Sequence, residues 1–331
     1  MKISVVIGTR NRGPLIEATL KSILEGKRPP DELIVADQSD ADTTRAAVEL
    51  FTEKYTAVRY IKTDTRGVCI ARNIGMAAAS GEVIAITDDD VVVCDDWLER
   101  IEQEFLSYPD LAMYFGTVIP PSTYDYKTEF IPHTILPTKR PVKWYEGCAL
   151  MGMGANMALR RSTVESIGGF DPATGPGSSL TGNDEREYAM RALCGLPGSP
   201  GLRVHLSDEA RVIHHAGARR GDEYHRFVHQ MNGTGEGRYW AYVLRRKFRP
   251  QYAFKCFQKN VRAIGSFSKD ILRGRRPVGA KTYWHYLRGF WGGMFAPSST
   301  LPLASSNSVP YSPRTVGSVM SSSESNEMPV R

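Results

Sequence analysis

The sequence predicts an α/β fold, a Rossmann-like, mostly parallel sheet flanked by helices, with a helical extension at its carboxyl end. Three observations lead there. Over residues 1–120 near-continuous apolar runs alternate with runs of helical period, the pattern of buried strands joined by crossover helices. The segment ARNIGMAAASGEVIAITDDD, residues 71–90, runs a buried strand straight into Asp88, Asp89 and Asp90. Beyond residue 240 the composition changes: residues 241–296 hold thirteen Lys and Arg against one acid, Asp270.

The elements follow in order. Ile3 to Ile7 reads as a first strand, and Leu15, Thr19, Leu20, Ile23 and Leu24 recur at helical spacing until Gly26 and the prolines at 29 and 30 stop them. Leu33 to Ala36 is a second strand, closed by Asp37. A helix over 42–54, a strand at 58–61, a helix over 68–79, the strand at 83–86 and a helix over about 95–107 complete the alternation. Tyr114 to Ile119 is a further strand. Residues 120–145, with five prolines, read as a long loop, and a helix over about 184–194 follows the glycine-rich GPGSSLTGND. The tail 297–331, with eleven serines and five prolines, is expected to be disordered. The boundaries are then 1–235 for the main domain, 236–296 for the basic, aromatic-rich helical extension and 297–331 for the tail.

Composition narrows the class. No stretch approaches the roughly 20 apolar residues of a membrane span, and the first apolar run is too short for a signal peptide. Five scattered cysteines without CxxC spacing argue against a disulfide framework and a structural zinc site. The cytoplasm is the expected compartment. The chain is +6 overall, yet the basic excess belongs to the extension and residues 1–240 are net acidic. A nucleic-acid binder carries its basic stripe on the working face, so nucleic acid is not an expected partner.

Three carboxylates at a strand end are costly unless something neutralises them. In an open α/β sheet that position faces the ligand crevice, and the expected neutraliser is a ligand or a metal. The competing reading is an acidic turn capping the helix that follows.

Four blocks carry a family resemblance. SVVIGTRNRGPLIEATLKSIL with ELIVADQSDADTT, ARNIGMAAASGEVIAITDDD, GANMALRRSTVESIGGFDP and TGNDEREYAMRA stand, in that order, over residues 3–215. They resemble the sequence blocks of glycosyltransferase family 2, which has the GT-A fold. The resemblance implies a metal-dependent, inverting transferase that moves one sugar from a nucleoside-diphosphate sugar, UDP-linked by preference, to a glycan or glycolipid acceptor. It makes Asp37 the acceptor for the base's ring N–H, with Thr9 and Arg10 in the same pocket and Arg72 near the diphosphate. It implies Asp88 at the donor and, with Asp90, on Mn²⁺ or Mg²⁺, with His214, or alternatively His215, as a third ligand. Asp184 becomes the base, with Glu185 as the alternative because Asn183 stands where the family commonly has Glu. Gly154 and Asn156 fall on the donor-sugar side, and the GGFD turn at 168–171 borders the acceptor.

The bland readings stand beside these. Asp37 can be a turn cap with Ser39, and Asp184 a helix N-cap. Two rival functions remain: a nucleotide-sugar-binding partner subunit that no longer transfers, and a sugar nucleotidyltransferase, although GTRNRG at 8–13 is a poor phosphate loop. The basic, aromatic extension makes an anionic membrane surface, at the inner face of the cell membrane, a candidate partner. A helix packed on its own domain with a solvated basic face is the alternative.

Overall fold

A computed structural model describes residues 1–296 apart from 126–128, 137–139, 144, 146–151, 196–199, 216–217 and 278, so the Ser/Pro-rich tail lies outside the described residues. The chain runs β1 (Ile3–Thr9), α1 (Leu15–Leu24), β2 (Glu32–Asp37), α2 (Thr43–Lys54), β3 (Val58–Lys62), α3 (Val68–Ala78), β4 (Val83–Thr87), β5 (Val91–Val93), α4 (Trp97–Ser107) and β6 (Leu111–Ile119). There follow β7 (Glu129–Phe130), β8 (Arg140–Pro141), β9 (Asn156–Arg160), α5 (Arg161–Ile167), α6 (Asp184–Cys194), β10 (Arg203–His214), β11 (Arg219–Arg220) and α7 (Gly221–Val228). A π-helical stretch, His229–Gly235, leads into α8 (Glu236–Arg246), α9 (Pro250–Leu272) and α10 (Ala280–Phe295).

The main sheet is ordered β3-β2-β1-β4-β9-β6-β10-β5, with β8 beside β10. Its first four strands are parallel, as the alternating periods require. Beyond β4 it is mixed: β9 enters antiparallel to both β4 and β6, β10 runs parallel to β6, and β5 pairs antiparallel with the end of β10. The sequence reading lacks β5, β9 and β10. Three-residue β5 is too short to show a period. In β10 register shifts after Arg203 and between Leu206 and Arg211 break the alternation that would reveal a strand. Short β7 and β8 interrupt the proline-rich loop.

Alternation along β1 divides the core between two faces. Val5 and Ile7 join α1, α2 and α4 on one side, while Val6 joins α3, α5 and α6 on the other. Helix α3 lies very close on β1, because a Cβ on Gly75 would fall 2.3 Å from Val6 Cγ1. A third cluster joins Leu180 and Met190 to Tyr239, Trp240, Tyr242, Val243, Tyr252 and Tyr286, so α8 to α10 are packed onto the helix that carries Asp184. Ions reinforce that seam: Lys247 Nζ reaches Asp171 at 2.6 Å and Glu187 at 2.9 Å, and Arg186 reaches Glu236 at 2.6 Å. The extension is thus anchored through α8, while the outer sides of α9 and α10 face solvent. No described helix is long and apolar enough to cross a membrane.

Candidate active site

A cavity of about 580 Å³ opens where β1, β4 and β10 end, and is lined from the other side by the amino-terminal turns of α3 and α6. That volume suits a nucleotide-sized ligand. Of the residues singled out from sequence, Thr9, Arg10, Arg72, Asp88, Asp90, Asp184, Glu185 and His214 all line it, together with Gly154. Segments as far apart as residues 9 and 214 converge because parallel strands deliver their carboxyl ends to one edge.

Asp88, Asp90 and His214 form one cluster, each offering a ligand atom within 4.8 Å of the others. His214 Nδ1 faces the Pro132 carbonyl oxygen at 2.8 Å and Nε2 faces Asp90 Oδ1 at 3.0 Å. In the neutral tautomer Nδ1–H donates to Pro132, which leaves the Nε2 lone pair directed at the carboxylates, the arrangement of metal-ligating histidines. Burial works to lower the His214 pKa, but the hydrogen bond and charge of Asp90 outweigh it and raise it. Asp90 is the mirror case: burial works to raise it, and His214 and Arg12 hold it below the usual carboxylate range. His215 is outside the cluster, and its backbone N–H lies 3.1 Å from the Asp90 carbonyl oxygen. Two carboxylates and one imidazole fit a divalent cation, and the nitrogen favours Mn²⁺ over Mg²⁺.

Arg12 is one residue that sequence reasoning missed. Its Nε donates to Asp89 Oδ1 at 2.9 Å and its Nη2 to Asp90 Oδ2 at 3.1 Å, so a guanidinium neutralises two members of the acid triplet. Asp89 is buried and outside the metal cluster, and burial pushes its pKa up to about 6. The signal for Arg12 was present only as one more cation in TRNRG, and nothing in linear spacing ties residue 12 to residue 90.

Arg72, expected to approach the diphosphate, is 4% exposed and bridges two carboxylates. Nη1 donates to Asp184 Oδ2 at 2.5 Å and Nη2 to Asp88 Oδ1 at 2.8 Å. Burial would depress the guanidinium; Asp88 and Asp184 outweigh it and raise it. Gly154 makes room, since a Cβ there would lie 2.6 Å from Arg72 Nη2. Asp184 begins α6 after Asn183, which takes a left-handed conformation (φ 64°) and is itself the N-cap residue. Glu185, beside Asp184, is raised well above the carboxylate range by desolvation and by the Asp184 charge.

Two predicted residues are not brought to the cavity. Asp37 is fully buried at the end of β2, where Oδ1 accepts the Ser39 N–H at 2.8 Å and Oδ2 accepts the Tyr60 hydroxyl at 2.7 Å. That is the Asx turn weighed against base recognition, and neighbouring Gln38 lines the cavity instead. Asn156, placed by the sequence reading on the donor-sugar side, is a clasp within the sheet. Its Nδ2 donates to the Thr117 and Ala210 carbonyls at 2.9 and 3.0 Å, and its Oδ1 accepts Trp97 Nε1–H at 2.9 Å. Asn156→Ala would strand all three buried groups and should cost about 2–4 kcal/mol of stability in urea denaturation. A variant as stable as the parent would show that the clasp is dispensable.

In the GGFD turn, Gly168 takes φ 80° and Phe170 is buried. Arg10 is held at the rim by Asp40 at 2.9 Å.

Residues 4–168 match the family model described as Glycosyl transferase family 2. A glucosyl-dolichyl phosphate glucuronosyltransferase of Haloferax volcanii is 26% identical over 228 residues, covering 65% of this chain and 69% of the relative. A GalNAc(5)-diNAcBac-PP-undecaprenol β-1,3-glucosyltransferase of Campylobacter jejuni is 32% identical over 105 residues, covering 31% of this chain and 34% of the relative. Among solved structures, the mannosyltransferase PcManGT of Pyrobaculum calidifontis, in complex with GDP-Man and Mn²⁺, gives a TM-score of 0.54 at 18% identity, covering 99% of this chain and 76% of that one. S. aureus TarS 1-349 with UDP-GlcNAc gives 0.58 at 15% identity, covering 89% and 82%. The mixed sheet with its crevice at the strand ends is the GT-A fold of these neighbours, and the chain belongs to glycosyl transferase family 2 as a glycosyltransferase.

Proposed function

We propose that this protein is a metal-dependent, inverting transferase that moves one sugar from a nucleoside-diphosphate sugar, UDP-linked by preference, to a hydroxyl of a glycan or lipid-linked acceptor in the cytoplasm. The observation that carries the reading is the meeting, in one cavity, of the Asp88–Asp90–His214 cluster with Asp184 and Glu185. The relatives named for dolichyl-phosphate and undecaprenol-linked glycans support the acceptor class.

In this reading Asp88, Asp90 and His214 hold Mn²⁺ or Mg²⁺, which supplies Lewis-acid stabilisation of the diphosphate leaving group. Gln38, Thr9 and Arg10 contact the nucleotide end of the donor. Asp184, oriented by Arg72, accepts the proton of the acceptor hydroxyl as its oxygen bonds the anomeric carbon. The bond from that carbon to the phosphate oxygen breaks in the same step, and the nucleoside diphosphate departs. Among the described residues Asp184 and Glu185 are the only carboxylates lining this cavity besides Asp88, Asp89 and Asp90.

Calorimetry with UDP, GDP and dTDP, with and without Mn²⁺, tests the proposal. One nucleoside diphosphate should bind in a metal-dependent manner, and binding of none would sink it. Because His214 must shed a proton to ligate and Asp90 raises its pKa, Mn²⁺ affinity should fall as pH drops from about 8 to about 6. A pH-independent affinity over that range would remove His214 from the ligand set.

A further inference from the structure

The outer faces of α9 and α10 take no part in this chemistry, and they are built unlike a solvated surface. On α9, Phe254, Phe257, Val261, Ile264 and Ile271 follow one another at steps of three, four, three and seven, so they form one stripe along the helix. All are exposed, from 45% at Phe254 to 67% at Phe257. Another side of α9 is occupied by its own domain, with Tyr252, Lys255 and Cys256 buried and Phe267 edge-on to Tyr283 at 5.3 Å. Helix α10 repeats the arrangement. Its Tyr286, Gly289 and Gly293 side is buried, while Trp284, Trp291 and Phe295 are 61%, 52% and 81% exposed. Rows of large apolar side chains in water mark an interaction site rather than ordinary surface.

Charge selects the occupant. Arg262 and Lys269 on α9, Arg273, Arg275 and Arg276 in the connecting turn, and Lys281 and Arg288 on α10 are all exposed. Asp270 is the only acid in residues 241–296. A second copy of the chain would bring the same positive surface against itself. Nucleic acid would neutralise the cations and leave the apolar stripe and both tryptophans wet. An anionic bilayer takes both, with the apolar side chains entering the boundary between headgroups and acyl chains and the cations meeting lipid phosphates. Neither helix is long and apolar enough to span, so the contact is a lying-on one.

We propose that the α9–α10 hairpin is a docking surface for an anionic lipid bilayer. The contact deepens the transfer reading, on which it rests for its purpose, by setting the acceptor side against a membrane that carries lipid-linked glycans. Glu236 on α8, shared by Arg186 of α6 and Lys259 of α9, ties the hairpin to the helix that begins at Asp184.

Co-sedimentation of the full chain with vesicles tests this, using phosphatidylcholine alone and phosphatidylcholine with about a third phosphatidylglycerol. Binding to the anionic vesicles should be at least about tenfold tighter and should weaken with added salt. The double variant F257E/I264E should abolish it, and R273Q/R275Q/R276Q should weaken it on anionic vesicles only. Both variants change exposed side chains, and unchanged nucleoside diphosphate binding verifies that they fold. The proposal is overturned if the parent chain stays in the supernatant, or if F257E/I264E sediments like the parent. It is equally overturned by light scattering that shows a dimer dissociated by F257E/I264E, with no vesicle binding by the parent. Loss of donor binding with vesicle binding intact would count against the transfer reading alone, and the reverse result against the docking surface alone.

Discussion

Asp184→Asn is expected to lower kcat by roughly 10²–10⁴-fold, the range for removal of a general base, while nucleoside diphosphate binding persists. The substitution keeps shape and one oxygen. Arg72 Nη1, now 2.5 Å from Asp184 Oδ2, can therefore still find an acceptor, and Arg72 Nη2 keeps Asp88 at 2.8 Å. What is lost is a negative charge that partly offsets a buried guanidinium, so a stability loss of about 1–3 kcal/mol should accompany the kinetic effect. Turnover must accordingly be measured well below the unfolding midpoint. Glu185→Gln is the necessary companion. Glu185 lines the same cavity, and desolvation with the Asp184 charge raises its pKa, which favours its protonated form and so Asp184 as the acceptor of the proton. If Asp184 takes the proton, Glu185→Gln should reduce kcat far less than Asp184→Asn. The opposite ranking transfers the role one residue along the helix. Unaltered turnover in both variants would remove this end of the cavity from proton transfer altogether. A rise in KM at constant kcat would instead mean that the carboxylates only help bind the acceptor.

The parallel half of the fold was legible because strands buried on both faces and amphipathic helices leave different periods, and β1, β2 and β4 show them plainly. In the mixed half only β6 was, at Tyr114 to Ile119, because the identity of the other strands lies in pairing rather than in period. Asn156 shows the consequence. It lies in a segment that matches a donor-side block, yet β9 turns its amide between Thr117 and Ala210, where it holds β6 to β10. For the site, acids at a strand end announce themselves by the cost of clustering them, whereas the histidine pair at 214 and 215 was readable only through the family resemblance. Which of two adjacent histidines turns inward depends on register: His214 pairs with Val91 across the β10–β5 ladder, which brings it beside Asp90. The bridging of Arg72 and the pairing of Arg12 are tertiary facts, since each joins residues whose separation in the chain carries no signal.

Arg12 makes the metal site testable with two opposite signs. Asp90→Ala removes one of the three proposed ligand groups and should weaken Mn²⁺ by at least about 100-fold, since even residues that only orient ligands are worth 10–100-fold. The metal-dependent part of nucleotide binding should vanish with it. Arg12→Ala should do the reverse. Its Nη2 lies 3.1 Å from Asp90 Oδ2, so the guanidinium competes for a carboxylate that the cation needs and adds a like charge beside it. The side chain is 36% exposed, and solvent screens that repulsion to the order of 1.4 kcal/mol, a tightening of about tenfold. Without metal, Arg12→Ala takes the guanidinium from buried Asp89 and leaves Asp90 to its contact with His214, so it should be less stable than the parent. Added Mn²⁺ should therefore raise its unfolding temperature more than that of the parent, and should not raise that of Asp90→Ala at all. Weaker Mn²⁺ binding in Arg12→Ala would mean that the guanidinium positions the acids for the cation instead of standing in for it.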